Sequence, residues 1–363
     1  MQTTPAPNPT RCAPLAVPPD VADLLATHRV PLPDLLTDSN PKMSKGAALA
    51  RGVILHHLPA RALAAAVTLG HRGTTAPRGY LAGLRALALA TGAIDRALSH
   101  NGCPWATVGC AAGCLNWSGH GGISPAVAAA RGRRTLAMLA DPVAYGRAIL
   151  WAIARDWQRA QADGLPLAVR LRGTDEGPRV GWHRLRLSVS PLEAVTLARR
   201  YGLPVVAGDQ LTLADALAVP RGEGALHLYD YSKAPLSGPL GLRAQSAAGW
   251  DITASMAADR ATATADAAAA ARAGYRLAVP VALAKGAPLP VALTLTPTGG
   301  APVTLPAVDG DATDHRWADP AGVAVILRTK TSRGADATLA DPFSLRATDH
   351  PQRLPDGLAT LKW

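Results

Sequence analysis

The sequence predicts an α/β fold: a partial (β/α) barrel with a parallel sheet, preceded by a helical N-terminal region. Three observations predict it. After Gly164, short apolar runs alternate with helical stretches, and strands separated by helices pair in parallel. Each run closes on polar residues, which gathers reactive side chains at strand C-termini, the active face of such a barrel. Before about Leu98, apolar residues recur instead at three-to-four spacing, interrupted by Pro31, Pro33, Pro59 and Gly70-His-Arg-Gly73.

Residues 1–20 read as a flexible proline-rich tail with no fold signal. The region 21–98 divides into helices over 21–28, 44–57, 60–69 and 78–89. The core, 99–345, opens with a cysteine-rich loop. Ser124-Pro125 and Asp141-Pro142 then start two helices with proline in the first turn, the second reaching about Asp163. Strands are expected at 167–171, 204–207, 225–229, 250–254, 276–283 and 322–327. Ser190-Pro-Leu-Glu193 is a capping box opening a helix to Tyr201, and 256–273 reads as an alanine-rich helix between two strands. Residues 346–363 are left as a C-terminal tail.

With 48% hydrophobic residues the chain has ample apolar content for a substantial core. Four cysteines, three of them in one short stretch, are not the spaced framework of a secreted disulfide domain. The N-terminus also lacks a basic region followed by an apolar core, so a cytoplasmic location is expected. The longest apolar stretches, 47–58 and 261–273, are interrupted by Arg51, His56, Asp266 and Arg272, and no membrane span is expected. The formal charge of +11 favours a polyanion and makes nucleic acid a candidate partner. Arginine is spread over the whole chain, however, and no run of five basic residues or aromatic interleaving marks a strand-binding groove.

Cys103, Cys110 and Cys114 crowd into Asn101-Gly-Cys-Pro-Trp-Ala-Thr-Val-Gly-Cys-Ala-Ala-Gly-Cys-Leu-Asn116, and only Cys12 lies elsewhere. Thiolates are soft ligands suited to iron–sulfur clusters or zinc, and small residues between them let the backbone bring three sulfurs to one point. Two occupants stay open. A four-iron cluster on three cysteines leaves one iron free for a small molecule, whereas zinc needs a fourth ligand from His100, His120 or Cys12. Inert thiols are a third reading. His56 and His57, placed on the 44–57 helix, would point about 100° apart and suit one metal poorly.

Several segments together carry a family resemblance. Ser39-Asn-Pro-Lys-Met-Ser-Lys45, Cys103-Pro-Trp-Ala-Thr-Val-Gly-Cys-Ala-Ala-Gly-Cys-Leu115, Arg170-Leu-Arg-Gly-Thr-Asp175, Tyr229-Asp-Tyr-Ser-Lys233 and Val308-Asp-Gly-Asp-Ala-Thr-Asp-His-Arg316 resemble the gene product 88 family of phage and plasmid proteins, from about Ser39 to Arg333. The cysteine loop is also similar to that of another phage family grouped with radical S-adenosylmethionine enzymes. Gly173-Thr-Asp-Glu-Gly-Pro178, downstream of a strand, loosely resembles the Gly-Gly-Glu-Pro-like turn that receives the methionine amino group in such enzymes. The chain departs from the usual Cys-x3-Cys-x2-Cys by its longer spacing, and Gly113 stands where an aromatic residue precedes the last cysteine. The plainer reading of Gly173–Pro178 is a surface turn.

The resemblance to radical enzymes implies a 4Fe-4S cluster on Cys103, Cys110 and Cys114, with S-adenosylmethionine on the open iron and in contact with Gly173, Thr174, Asp175 and Glu176. Asp230, Lys233 and Ser255, at the ends of expected strands, are the candidate catalytic residues facing cofactor or substrate, with nucleic acid as the first candidate substrate. The competing expectation is a non-enzymatic zinc- or cluster-stabilised protein that binds nucleic acid or a partner. Tyr229-Asp-Tyr-Ser-Lys233 reads equally as two buried tyrosines with a solvated Asp–Lys pair. Asp309, Asp311, Asp314 and His315 offer hard ligands for a divalent cation, or simply a polar loop. Phosphate-loop, zincin and nucleophile-elbow motifs are absent from the sequence.

Overall fold

The computed structural model describes residues 17–38, 41–59, 62–64, 78–112, 124–284, 286–329 and 344–363. Helix α1 (Pro19–Thr27) begins on proline and closes with His28 and Arg29, the latter in the left-handed region at φ 52°. Helix α2 (Pro41–Lys45) is short, and the chain then extends as β1 (Arg51–Ile54) where a helix over 44–57 is expected. A parallel neighbour, β2 (Leu167–Arg170), decides this: pairing from Arg51↔Leu167 to Ile54↔Arg170 buries Gly52, Val53 and Ile54. An apolar alanine-rich stretch satisfies either period, and the available partner selects between them.

Between β1 and β2 lie α3 (Arg78–Ala90), α4 (Ile94–Ser99), α5 (Val108–Ala112), α6 (Pro125–Ala140) and α7 (Pro142–Ala162). The two long helices start as their sequences direct: Ser124 accepts from Val127 N, Asp141 accepts from Val143 N and Ala144 N, and proline follows each cap. Leu84, Ala88, Ala97 and Leu136 join α3, α4 and α6 in a small separate core.

After β2, strands β3 (Leu187–Val189) and β4 (Gly208–Leu211) pair antiparallel around α8 (Pro191–Tyr201), so the strand expected at 204–207 starts later, at Gly208. Ser190 caps α8 through Glu193 N, while the Glu193 carboxylate turns to Trp151 Nε1 (2.7 Å) and Arg147. The short helices α9 (Leu213–Ala216) and α10 (Ala218–Gly222) lead to β5 (Leu226–Ser232), α11 (Leu242–Ala247), β6 (Asp251–Ser255), α12 (Ala263–Arg272) and β7 (Leu277–Ala282). Thr262 gives α12 no side-chain cap; the carboxylate of Asp356 does so instead, accepting from Thr264 N (2.8 Å) and Ala265 N (2.9 Å). The remaining strands are β8 (Ala292–Pro297), β9 (Val303–Asp309), β10 (Ala324–Arg328), β11 (Leu345–Arg346), β12 (Gln352–Leu354) and β13 (Gly357–Lys362).

The main sheet runs β1-β2-β5-β6-β7-β10-β9-β8-β13-β12, with β11 on β7. Strands β1 through β10 in that order are parallel, so the mixed α/β class and the parallel sheet stand. A barrel does not close. The edge of β10 that would have to meet β1 is taken by β9, and the antiparallel strands β8, β13 and β12 extend the sheet further. Residues 346–363, expected as a tail, supply β12 and β13, whose Ala359 and Leu361 are buried against β8.

Alternation along β5 sends Leu226, Leu228, Asp230 and Ser232 to the α7 side, where Leu167, Val169, Ile252 and Ile326 build the main core. Tyr229 faces the other way, onto Ile54, Ala168 and Met43. No described helix is long and apolar enough to cross a membrane.

Candidate functional site

The C-terminal edge of the parallel strands gathers polar and ionisable side chains. Beyond their paired residues, β1 and β2 continue side by side, with Leu55 N donating to Arg170 O and Gly173 N to Leu55 O. Gly173 is required there, because a Cβ would lie 2.3 Å from His56 Nδ1 and 2.7 Å from Leu55 O. Thr174 Oγ1 donates to His57 O. The His57 ring bridges Asp175 Oδ1 (3.2 Å, through Nδ1) and the Tyr145 hydroxyl (3.2 Å, through Nε2), and it stacks on Trp182. All four side chains are buried. Burial pushes the Tyr145 phenol far above its ordinary value, so it keeps its proton beside Nε2.

Asp175 Oδ1 also accepts from Gly177 N (3.3 Å). Its Oδ2 and His100 Nε2 are both buried without a hydrogen-bond partner among the described residues, and both lie against Gly102. Asp175 thus gives one oxygen to His57 and Gly177 N, while the other has no partner among the described residues. Glu176 keeps partial exposure and ties β2 to the end of β5, reaching Arg172 and Ser232 Oγ at 3.3 Å and Lys233 N at 3.4 Å.

The cysteine loop is fastened onto this same edge. Glu176 N donates to Gly102 O. The Asp259 carboxylate, past the end of β6, takes Thr107 Oγ1 (2.6 Å) and Gly109 N (2.9 Å), while Thr107 Oγ1 accepts from Cys110 N (3.1 Å). Arg260 links Trp105 O to Lys233 O. Cys103 and Cys110 are half-buried. Cys114, His120 and Cys12 lie outside the described residues. Among the described residues, no three His, Cys, Asp or Glu side chains converge as a metal site.

Of the candidate catalytic residues, Lys233 and Ser255 line one narrow cleft with Ser232, Met256 and Arg260, at the ends of β5 and β6. Asp230 does not open into it. Its side chain is fully buried, accepts from Leu171 N (3.2 Å), and stands 3.5 Å from Arg170 Nε and 3.9 Å from Arg172 Nε. Burial pushes its pKa up to about 7 against the pull of Arg172 and Arg170, and Glu176 adds to the rise. The acidic stretch near β9 does not assemble as a cation site: Asp309 and Asp311 face Arg328, and Asp314 pairs with Arg170 (2.9 Å).

His57, Tyr145, Asp259 and Arg260 take part in the contacts at this edge and are not among the candidates read from the sequence. Asp259 and Arg260 had a usable signal, because they follow β6 as polar strand-end residues. Tyr145 had none.

Residues 35–178 match the family model for gene product 88. No curated protein and no solved structure matches the chain. The matched span holds His57, Cys103, Cys110, Tyr145 and Asp175 and stops before Asp230, Lys233 and Ser255. The resemblance expected as far as Arg333 is carried by this match to Pro178.

Proposed function

We propose that this chain is an iron–sulfur enzyme of the phage and plasmid gene product 88 type, with a 4Fe-4S cluster on Cys103, Cys110 and Cys114 and S-adenosylmethionine as its co-substrate. One observation carries the reading: the cysteine loop is pinned by Asp259, Arg260 and Glu176 N to the C-terminal edge of the parallel strands, beside the Gly173–Gly177 turn. That edge is where open α/β sheets place their ligands. The donor chemistry suits the cluster, since half-buried thiols on a small-residue loop are soft ligands in a partly dehydrated place. When bound, such a cluster supplies the electron that cleaves S-adenosylmethionine and so starts hydrogen abstraction.

The chain's own residues have separate tasks. Glu176, partly exposed beside Ser232 and Lys233 N, is the carboxylate placed to receive an ammonium group. Asp175, held by His57, positions the turn rather than touching a ligand. Lys233 and Ser255 present an amine and a hydroxyl to the cleft, suited to an oxygen-rich substrate such as a nucleic acid. The burial of Asp175 and Asp230 favours a second reading, a non-enzymatic protein stabilised at the same loop by zinc, with His100 Nε2 as a nitrogen ligand.

Anaerobic purification and reconstitution separate the two. The expected result is a brown protein with about four irons per chain, loss of iron in Cys110→Ala, and 5′-deoxyadenosine on reduction with S-adenosylmethionine. Glu176→Gln should weaken S-adenosylmethionine binding while leaving the iron content unchanged. A colourless protein with one zinc transfers the lead to the second reading.

A further inference from the structure

A second cleft lies away from the cysteine loop, between the turn after α1 and the middle of α6. It is lined by Arg29, Asp34, Ala130, Arg133 and Arg134, with an empty volume of about 180 Å3 open to solvent. Three guanidinium groups there meet one carboxylate. Helix α6 carries no acidic residue, and none occurs in residues 1–16, 39–40, 60–61, 65–77 or 113–123. The only carboxylates outside the described residues are Asp336 and Asp341, in the connection from β10 to β11.

Two of these arginines are partly or fully packed in, while Arg29 is exposed at the rim. Arg134 is only 6% exposed, and its guanidinium donates to His56 O (2.9 Å). Arg133 is half-buried, and its Nε has no partner among the described residues. Burial first, and the neighbouring Arg133 after it, raise the cost of the Arg134 charge, which an arriving anion relieves. Arg29 adds an independent observation. It occupies the left-handed position that ends α1, at φ 52°, with Val30 N closing onto Leu25 O. Glycine fits that position without strain, and an arginine that bears the strain there lines the cleft.

We propose that this cleft binds a phosphate group. Guanidinium forks match the paired oxygens of a phosphoryl group, and a phosphate's charge answers the surplus of two positive charges better than a single carboxylate does. The cleft is shallow and open to solvent, so the source is either a small phosphorylated molecule or one diester of a strand passing over the surface. This site does not depend on the iron–sulfur reading.

The test uses the full chain at low salt with two probes: inorganic phosphate by calorimetry, and a fluorescent oligothymidylate by anisotropy. Arg134→Gln is avoided because the buried side chain also holds His56 O. Arg133→Gln and Arg29→Gly carry the test, with Arg199→Gln, exposed on α8, as the control. The expected result is binding weakened about tenfold by each cleft variant and unchanged in the control, the loss of one charge-assisted hydrogen bond. Arg29→Gly should bind more weakly while melting at a higher temperature, which a purely structural arginine would not show. A diester source makes the oligonucleotide the affected probe and lowers the slope of log affinity against log salt by about one in Arg133→Gln. A small phosphorylated ligand leaves the oligonucleotide unaffected and changes only the phosphate titration. Wild-type protein that binds neither probe, or cleft variants that bind both as wild type does, overturns the proposal.

Discussion

Replacing Asp230 by asparagine should alter how stability depends on pH. The native carboxyl has its pKa pushed up to about 7 by burial, against the opposing fields of Arg172 and Arg170, whereas the unfolded chain has an ordinary aspartate near 4. Between these values the native state holds a proton that the unfolded state has released. Stability is therefore fully present at acid pH and is lost as pH rises through about 7. Integrating from about pH 5 to about pH 8 gives a loss on the order of 3 kcal/mol from this one group. Asparagine is nearly isosteric and its carbonyl can still accept from Leu171 N, so the pH-dependent contribution vanishes while packing is kept. The amide N–H near the Arg170 and Arg172 guanidiniums imposes an offset that does not vary with pH. Urea unfolding of both proteins across that pH range is the assay. Contributions that the substitution leaves unchanged cancel in the difference between the two proteins. Asp230→Asn should gain about 3 kcal/mol relative to wild type on going from the acid to the alkaline end; parallel curves would refute the reasoning.

Three further outcomes are expected. Gly173→Ala should destabilise by about 2 kcal/mol or more in thermal unfolding, because the new methyl meets His56 and the Leu55 carbonyl, and the carbonyl is backbone and cannot turn aside. His56 has its pKa lowered well below the ordinary value by burial first and by the Arg131, Arg170 and Arg134 charges after it. Its contribution is thus present above about pH 6.5 and lost as pH falls, and His56→Gln should flatten the acid side of the stability profile. Asp259→Ala removes both anchors at Thr107 and Gly109, and should raise proteolytic cutting within 101–112 and lower iron retention, while Cys12→Ala leaves metal content unchanged.

Much of the fold was legible where local chemistry and burial agree. Proline at the first turn behind Ser124 and Asp141 marks α6 and α7, and β2, β5, β6, β7 and β10 fall within a few residues of their apolar runs. The strands β8, β9 and β13 escaped because each is at most half-buried and mixes threonine into the alternation, with proline as well in Val303-Thr-Leu-Pro306. At the site, Glu176, Lys233 and Ser255 follow from the rule that polar residues end parallel strands. His57 was hidden by the wrong period assigned to 44–57, and Asp259 and Arg260 by a helix taken to start at 256, seven residues before Ala263. The chain's long-range pairing settles these choices, and no local window contains it.

The cap on α12 sets an order of events during biosynthesis. This helix lines the cleft that holds Lys233 and Ser255, yet the carboxylate that satisfies its first amides belongs to Asp356, separated from Thr264 by 92 positions. At translation speeds of about 5–20 residues per second, the helix start emerges from the ribosome some 5–20 s before its cap. During that interval α12 has bare N–H groups and lacks the β13 surface it packs against. The nascent chain can therefore close the β1–β2 side, cysteine loop included, while the cleft beside it is still unfinished. Ribosome-bound chains stalled before and after residue 356 should differ in protease resistance at 263–272, and a chaperone that shields exposed alanine-rich helix would act in that window.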